Sequence, residues 1–287
     1  MAEDSPFTVD ADWLERRLGK PGVSVVDASW YLPAQQRNAQ DEYRAAHIPG
    51  AVFLDQDAVS DPDSPLPHTL ATPQHFAKFV GALGISAEDT VVVYDGPGFF
   101  SAPRAWWMFR VMGASEVYVL ESGLDRWKAS GRPVTAEPTK VAPCVFNAVF
   151  DEGRVVGLAA MRATVDAGVQ IADARPAGRF AGTDPEPRAG VRSGHMPGAR
   201  NVPATALSEN GELLSASRLR DVIEGAGIDL SKPVVTSCGS GITAAVVTLA
   251  LETLGHSDNR LYDGSWTEWG SQADTPVETS PAGAGRA

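Results

Sequence analysis

A short apolar segment and a glycine-containing loop stand in the second half of the chain, where the sequence reads Val234-Val235-Thr236-Ser237-Cys238-Gly239-Ser240-Gly241-Ile242-Thr243. The residues before Cys238 show no alternation of polar and apolar side chains, which is typical of a strand buried on both faces of a sheet. Two glycines within four residues allow the backbone to bend sharply. The apolar run that follows predicts a helix over 242–254. Strand, loop and helix in this order indicate a parallel α/β sheet with helices on both faces.

The pattern occurs twice in the chain. Four motifs of the first half recur about 145 residues later, in the same order. The pairs are Val25–Ala28 with Ile171–Ala174, Ala46–Ala51 with Gly194–Ala199, Val91–Asp95 with Val234–Cys238, and Gly123–Trp127 with Gly264–Trp269. A period of this length indicates two copies of one domain. Asp95 stands where the second copy has Cys238.

The duplication divides the chain. We expect a first domain over residues 8–136, a linker over 137–150, a second domain over 151–278 and a flexible tail over 279–287. In the first domain the sequence predicts helices over 10–18, 72–84 and 101–112 and strands over 23–27, 90–94 and 116–120. In the second domain it predicts helices over 157–167, 217–225 and 242–254 and strands over 169–173, 234–237 and 260–262.

The 287 residues include 24 Lys and Arg against 36 Asp and Glu, a net charge of −12. Such an acidic surface repels phosphate backbones and disfavours nucleic-acid binding, so an anionic substrate would need a local group of cations. The sequence shows no signal peptide and no apolar run long enough to cross a membrane, and two cysteines are too few for a disulfide framework. These features predict a cytoplasmic protein.

Cys238 is the expected nucleophile. The N–H groups of the loop and the positive end of the following helix favour an anion, and a thiolate is one. Cys144 lies in the linker without such a setting, and we interpret it as structural. No grouping of Cys, His and carboxylates has metal-ligand spacing, so we expect no metal and no organic cofactor.

These motifs resemble the rhodanese superfamily of two-domain sulfurtransferases. The likeness rests on the Cys238–Thr243 loop, on Asp-Gly-Ser-Trp-x-Glu-Trp at 263–269 and on His-x-Pro-Gly-Ala in both halves. It extends from about residue 8 to about residue 278 and implies two tandem rhodanese-like domains. In this superfamily only the second copy is catalytic, which agrees with Asp95 in the first.

The loop also indicates a substrate class. Members that prefer thiosulfate typically carry Cys-Arg-Lys-Gly, whereas Cys-Gly-Ser-Gly-Val-Thr is typical of those that use 3-mercaptopyruvate. The neutral Gly239 and Ser240 resemble the second class, with thiosulfate sulfurtransferase as the alternative. A cysteine phosphatase is disfavoured, because Ala244 stands where Cys-x5-Arg requires the phosphate-binding arginine.

The resemblance implies roles for further residues. Arg179 and Arg188 would bind the substrate carboxylate and carbonyl, and the loop residues Gly239, Gly241, Ile242 and Thr243 would surround the substrate. Ser240, His68 and Asp57 would form a proton relay, with His68 and Asp57 supplied by the first domain. His47, His195, Asp27 and Asp173 recur in both copies, so we interpret them as structural.

The reaction implied is ping-pong transfer of sulfur through a Cys238 persulfide, with release of pyruvate. The expected partners are 3-mercaptopyruvate and an acceptor such as a small thiol, a thioredoxin-like protein or cyanide. Neither nucleic acid nor a membrane is expected to bind. The protein is expected to be a monomer or a homodimer. A non-enzymatic sulfur carrier is the remaining alternative.

Overall fold

A computed structural model describes residues 5–279 of the chain. Apart from Thr279, the predicted tail 279–287 lies outside these residues. Within them the fold consists of two five-stranded parallel sheets with helices packed on both faces, one sheet in each half of the chain. The α/β class predicted from the sequence is confirmed.

The sheet of the first half has the strand order β1-β5-β4-β2-β3. Its strands are β1 (Thr8–Val9), β2 (Val23–Asp27), β3 (Val52–Phe53), β4 (Thr90–Tyr94) and β5 (Val117–Leu120). Its helices are α1 (Ala11–Glu15), α2 (Ala39–Ala45), α3 (Pro73–Ala82), α4 (Ala102–Val111) and α5 (Gly123–Ala129).

The sheet of the second half repeats this order as β6-β12-β11-β7-β8, and a hairpin, β9-β10, is added beside it. The strands are β6 (Val155–Val156), β7 (Gln170–Asp173), β8 (Arg200–Asn201), β9 (Ser208–Glu209), β10 (Glu212–Leu213), β11 (Val234–Ser237) and β12 (Asn259–Tyr262). The helices are α6 (Leu158–Asp166), α7 (Ala177–Ala181), α8 (Ala216–Gly225), α9 (Ala244–Thr253) and α10 (Ser265–Ser271).

The central strands β4 and β11 carry the two matching loops at their carboxyl ends. Asp95 follows β4 and Cys238 follows β11. Ser237, the last residue of β11, is in register with Asp173 at the end of β7. Parallel sheets collect functional side chains at this edge, because the loops after neighbouring strands meet there.

Some element boundaries differ from those predicted. The helix expected over 10–18 ends at Glu15, and its first turn is capped by the Asp10 carboxylate, which accepts the N–H of Trp13 at 2.6 Å. The helix expected from Ile242 begins at Ala244, because Ile242 and Thr243 complete the cysteine loop. The edge strands β1, β3, β6 and β8 have two residues each, which is too few to produce a sequence period.

The two halves share one core. Helices α4 and α9 pack against each other between the sheets, and nearly every residue of both is buried. Phe109 and Val246 belong to one continuous cluster of buried side chains that includes residues of both sheets. Helices composed mostly of apolar residues fit this position, because very little of either helix meets water.

The segment expected as a linker, residues 137–150, is attached to the first half. Phe146 packs edge-on against Phe76, the N–H of Cys144 donates to the carbonyl of Gly81 at 2.9 Å, and the N–H of Val149 donates to the carbonyl of Met112 at 2.9 Å. A side chain on Gly81 would collide with the Cys144 carbonyl. Among residues 5–279, no helix is long and apolar enough to cross a membrane.

Candidate active site

Cys238 is the first residue of the loop between β11 and α9. Its side chain is buried, and its sulfur accepts the N–H of Gly241 at 3.1 Å. Gly241 has φ +85°, a conformation that glycine adopts without strain. Within residues 5–279, the N–H groups of Gly239, Ser240, Ile242 and Thr243 have no hydrogen-bond acceptor. The loop that holds the sulfur therefore contains several backbone N–H groups without an internal acceptor among the described residues, which suits the binding of an anion.

The segment 263–269 holds this loop in place. The Ser265 hydroxyl accepts the N–H of Cys238 at 3.2 Å, and the carbonyl of Cys238 accepts the N–H of Trp266 at 2.9 Å. Thr267 donates to the Gly239 carbonyl through both its N–H, at 2.9 Å, and its hydroxyl, at 2.6 Å. The motif that supported the resemblance is thus a scaffold for the cysteine loop.

The structure brings Ser240, His68 and Asp57 together across the two halves. His68 Nδ1 lies 2.8 Å from Ser240 Oγ, and His68 Nε2 lies 2.9 Å from Asp57 Oδ1. A carboxylate only accepts hydrogen bonds, so in the neutral ring Nε2 carries the proton and Nδ1 accepts from the Ser240 hydroxyl. The hydrogen bond from His68 lowers the pKa of Asp57 below its usual value. His68 is buried, whereas the Asp57 side chain is 68 % exposed.

The two predicted arginines lie beside the cysteine in different settings. Arg179 is ion-paired with Glu186, with Nη2 2.5 Å from Oε2, and its guanidinium lies over Gly239. Arg188 is half-buried and has no ion-pair partner among residues 5–279. Burial lowers the pKa of Arg188 below its usual value, and the charge of Arg179 lowers it further. The negative charges of Cys238, Glu186 and Asp57 act in the opposite direction. Of the two predicted arginines, Arg188 is therefore the one without an ion partner in the described part of the chain.

Sequence reasoning gave no role to Arg175 and Glu186, which form a buried network with Asp173 behind Arg179. Glu186 binds Arg175 at 2.8 Å, and Arg175 in turn binds Asp173 at 2.6 Å and stacks on Trp266. These carboxylates and guanidinium groups alternate in charge and compensate one another. The sequence did contain a signal, because Glu186 stands between two arginines that were predicted to bind substrate.

Arg104 and Asp263 were also missed. Arg104 is a buried cation in α4, where most side chains are apolar, and Asp263 directly follows β12. Their side chains form an ion pair of 2.7 Å between the two halves. A charged residue within an apolar helix indicates a paired charge, and this was the available signal.

The histidines interpreted as structural have the same contacts in both halves. His47 Nδ1 lies 2.7 Å from the Tyr43 carbonyl, and His195 Nδ1 lies 2.8 Å from the Phe180 carbonyl. Each ring stacks on the aromatic residue whose carbonyl it contacts. Cys144 is exposed, and partial loss of solvation together with the charges of Asp89 and Glu88 raises the pKa of its thiol. Within the described part of the chain, no cluster of three or more His, Cys, Asp or Glu could hold a metal ion.

The first half has its own version of the cysteine loop. The Asp95 carboxylate, fully buried, accepts the N–H groups of Gly98, Phe100, Ser101 and Ala102 at 2.5 to 2.9 Å. Four N–H groups of this loop are thus bound by an internal anion. This half has no nucleophile at that position.

A family model described as "Rhodanese-like domain" matches residues 10–130 and again residues 158–272. The chain belongs to the rhodanese family. The two matches correspond to the two sheets, so the tandem rhodanese-like architecture predicted from the sequence is confirmed.

Similar proteins place this rhodanese chain among sulfurtransferases, the enzyme class that the sequence predicted. The 3-mercaptopyruvate sulfurtransferase of Escherichia coli K12 is 45 % identical over 94 % of this chain and 97 % of its own. The Thiosulfate/3-mercaptopyruvate sulfurtransferase 1, mitochondrial, of Arabidopsis thaliana is 42 % identical over 94 % of this chain and 78 % of its own. The crystal structure of SseA from Escherichia coli, described as having the rhodanese fold, superposes with a TM-score of 0.84 at 42 % identity, over 91 % of this chain and 98 % of that one.

Proposed function

We propose that the protein transfers sulfur from 3-mercaptopyruvate to a thiol acceptor or cyanide through a persulfide on Cys238. The observation that carries the proposal is the set of free loop N–H groups around a buried sulfur, with Arg188 and Arg179 beside it. The relatives named above support the choice of donor. Arg188, which has no ion partner of its own in the described residues, is the proposed ligand of the substrate carboxylate, and Arg179 is the proposed ligand of its carbonyl.

The first half-reaction breaks the carbon–sulfur bond of the substrate. The Cys238 thiolate attacks the substrate sulfur and forms an S–S bond, while the electron pair of the C–S bond moves to carbon and yields the enolate of pyruvate. The proton of the substrate thiol, relayed through Ser240 and His68, converts the enolate to pyruvate and leaves the terminal persulfide sulfur as an anion. Asp57 orients the imidazole through Nε2. The loop N–H groups stabilise the terminal persulfide sulfur, which carries the negative charge.

The second half-reaction regenerates the enzyme. A thiolate of the acceptor attacks the outer sulfur of the persulfide, and Cys238 leaves as the thiolate. The acceptor carries the sulfur away as its own persulfide, and cyanide would leave as thiocyanate. A small thiol or a thioredoxin-like protein is the proposed acceptor. We propose the cytoplasm as the place of reaction, on the sequence features alone.

A two-donor assay tests the proposal. The wild-type protein is given 3-mercaptopyruvate or thiosulfate with cyanide, and pyruvate and thiocyanate are measured for wild type, Cys238→Ser, Arg179→Ala and Arg188→Ala. We expect a higher kcat/KM for 3-mercaptopyruvate, no pyruvate from Cys238→Ser, and a KM raised about tenfold or more by each arginine variant, because each would lose a charged hydrogen bond.

Each other outcome of this assay rejects a specific part of the proposal. A higher kcat/KM for thiosulfate would identify a thiosulfate sulfurtransferase instead. A persulfide on Cys238 found by mass spectrometry without turnover would identify a sulfur carrier. Pyruvate release by Cys238→Ser at the wild-type rate would exclude the covalent mechanism. Unchanged KM and kcat in both arginine variants would exclude the substrate contacts.

A further inference from the structure

The ion pair between Arg104 and Asp263 lies next to the relay but takes no part in the mechanism above. Arg104 belongs to the first half and Asp263 to the second. The Arg104 side chain is 1 % exposed and the Asp263 side chain 13 %. Buried ion pairs contribute little net stability compared with apolar packing, so stability alone is a weak reason for a charged pair at this place.

Both members of the pair hold the backbone around His68. Arg104 Nη2 donates to the His68 carbonyl at 2.7 Å and to Asp263 Oδ1 at 2.7 Å. The other Asp263 oxygen accepts the N–H of Leu70 at 2.7 Å. His68 has φ +60°, a left-handed conformation that is unfavourable for a residue with a side chain. External contacts are needed to hold a residue in such a conformation, and the pair supplies two of them.

The same guanidinium also reaches the cysteine loop. A Cβ atom placed on Gly241 would lie 2.9 Å from Arg104 Nη1, so the guanidinium packs directly against the residue that follows Ser240. Arg104 therefore contacts His68 through its carbonyl and also contacts Gly241, the residue that follows Ser240. A small movement of this side chain would change the separation of Nδ1 and Oγ.

A second ion pair between the halves provides a comparison. Arg110 of α4 binds Glu252 of α9 at 3.2 Å, and Glu252 also pairs with Arg154. Within residues 5–279, none of these three residues forms a hydrogen bond or ion pair with His68, Leu70 or the cysteine loop. Both ion pairs therefore join the two halves, but of the two only the Arg104–Asp263 pair contacts the backbone around His68.

We propose that Arg104 and Asp263 are positioning residues that hold His68 at hydrogen-bonding distance from Ser240. The inference rests on the proposed function, since it assigns these residues to the relay of that reaction. It predicts that weakening the pair lowers kcat through His68 and leaves substrate binding unchanged.

The test combines Asp263→Asn and Arg104→Lys with His68→Ala. Asp263→Asn keeps an oxygen for the Leu70 N–H but removes the charge, and Arg104→Lys keeps the charge but loses the planar donor geometry. We expect Asp263→Asn to lower kcat for 3-mercaptopyruvate about tenfold with KM changed less than about twofold, because the base would be misplaced. In the His68→Ala background the same substitution should change kcat less than about twofold, since no base remains to be misplaced.

Glu252→Gln is the matched control, because it weakens the other ion pair between the halves. It should leave kcat within about twofold of wild type. Equal losses of kcat in Asp263→Asn and Glu252→Gln would overturn the proposal, and so would a loss that persists in the His68→Ala background. A wild-type protein that does not turn over 3-mercaptopyruvate would instead reject the proposed function.

Imidazole ¹⁵N spectra of the full chain provide a readout that does not depend on turnover. The sequence has five histidines, and His68→Ala assigns the relevant signals. Asp263→Asn or Arg104→Lys should shift the His68 signals, whereas Glu252→Gln should not. Unchanged His68 signals in the folded variants contradict the proposal. If Asp263→Asn does not fold, Arg104→Lys alone decides the outcome.

Discussion

The loops after β4 and β11 occupy the same place in two copies of one fold, yet their N–H groups are used differently. In the first half Asp95 fills its own loop and accepts four backbone N–H groups. In the second half Cys238 accepts one, and the others remain available. The first loop therefore binds an internal anion, and we propose that the second binds one supplied by the reaction. A loop without the cysteine can keep its conformation, because a carboxylate at the same position accepts the loop N–H groups.

Each half also covers the loop edge of the other. The N–H of Leu70, next to the relay, binds Asp263 of the second half, and the carbonyl of Gly211, between β9 and β10, accepts the N–H of Ser122 in the first half at 2.5 Å. Asp263 and Ser122 each stand directly before the glycine of the repeated Gly–Trp motif. Each half thus contacts the equivalent position of the other, but only the first half places a histidine at the loop of its partner.

A third difference concerns the aspartates at the ends of β2 and β7. Asp173 is paired with the buried guanidinium of Arg175. Asp27 has Ser29 in place of that arginine, and its carboxylate accepts the Ser29 N–H at 3.0 Å. Burial raises the pKa of Asp27 to about 6. A repeated acidic residue is therefore part of a charge network in one half and an unpaired buried acid in the other.

The largest expected effect comes from making the second loop resemble the first. Cys238→Asp should lower turnover by about 10⁴-fold or more, because the nucleophile is gone. Its melting temperature should equal or exceed that of Cys238→Ala, because the new carboxylate can accept the free N–H groups as Asp95 does. Calorimetry of both variants measures this, and a lower melting temperature for Cys238→Asp would show that the two loops are not equivalent anion sites.

Asp173→Asn should destabilise the folded protein by about 3 kcal/mol at neutral pH, because it leaves the Arg175 guanidinium with an excess of buried positive charge. Urea unfolding against wild type measures the change. We also expect a raised KM, since Arg175 shares Glu186 with Arg179. A loss of stability below about 1 kcal/mol would mean that the network adjusts to the missing charge.

Asp27→Asn should instead stabilise the folded protein at neutral pH, because it removes a buried carboxylate that has no compensating cation among residues 5–279. Burial raises the pKa of this carboxyl group from its ordinary value of 3.8 to about 6. The folded state therefore binds this proton more tightly than the unfolded state, and the associated stability is present below pH 3.8 and lost as the pH rises through about 6. The difference of about two units corresponds to about 3 kcal/mol.

Unfolding free energies of wild type and Asp27→Asn at pH 4.5 and pH 7.5 test this expectation. Wild type should lose stability relative to the variant between the two pH values. A difference between the two proteins that does not change with pH would contradict it. Asp173→Asn is the control at the equivalent position.

Much of the fold could be predicted from the sequence because the central strands are continuous apolar runs. The predicted bounds of 90–94 and 234–237 coincide with β4 and β11. The two-residue edge strands could not be predicted in this way, because they are defined by pairing with a neighbour and not by their own composition.

Less of the candidate site than of the fold could be predicted from local sequence patterns. The local pattern around Cys238 indicated an anion-binding loop, and the resemblance added Ser240, His68, Asp57, Arg179 and Arg188, whose catalytic and binding roles remain predictions. Arg104 and Asp263 lie 159 positions apart, and no local pattern reveals a pair formed by docking. Glu186 is recognisable as a partner of Arg179 only when its burial is known.

The hydrogen bond between His68 and Ser240 joins residues 172 positions apart. This separation determines when the bond can form as the ribosome makes the chain. At about 5–20 residues per second, a ribosome makes the serine roughly 10 to 30 s after the histidine. Asp263, which receives Arg104, is made later still. A nascent chain that already contains Cys238 and its loop therefore lacks the anchored base. The proposed relay and its anchor are therefore complete only after β12, the last strand of the second sheet, has been made.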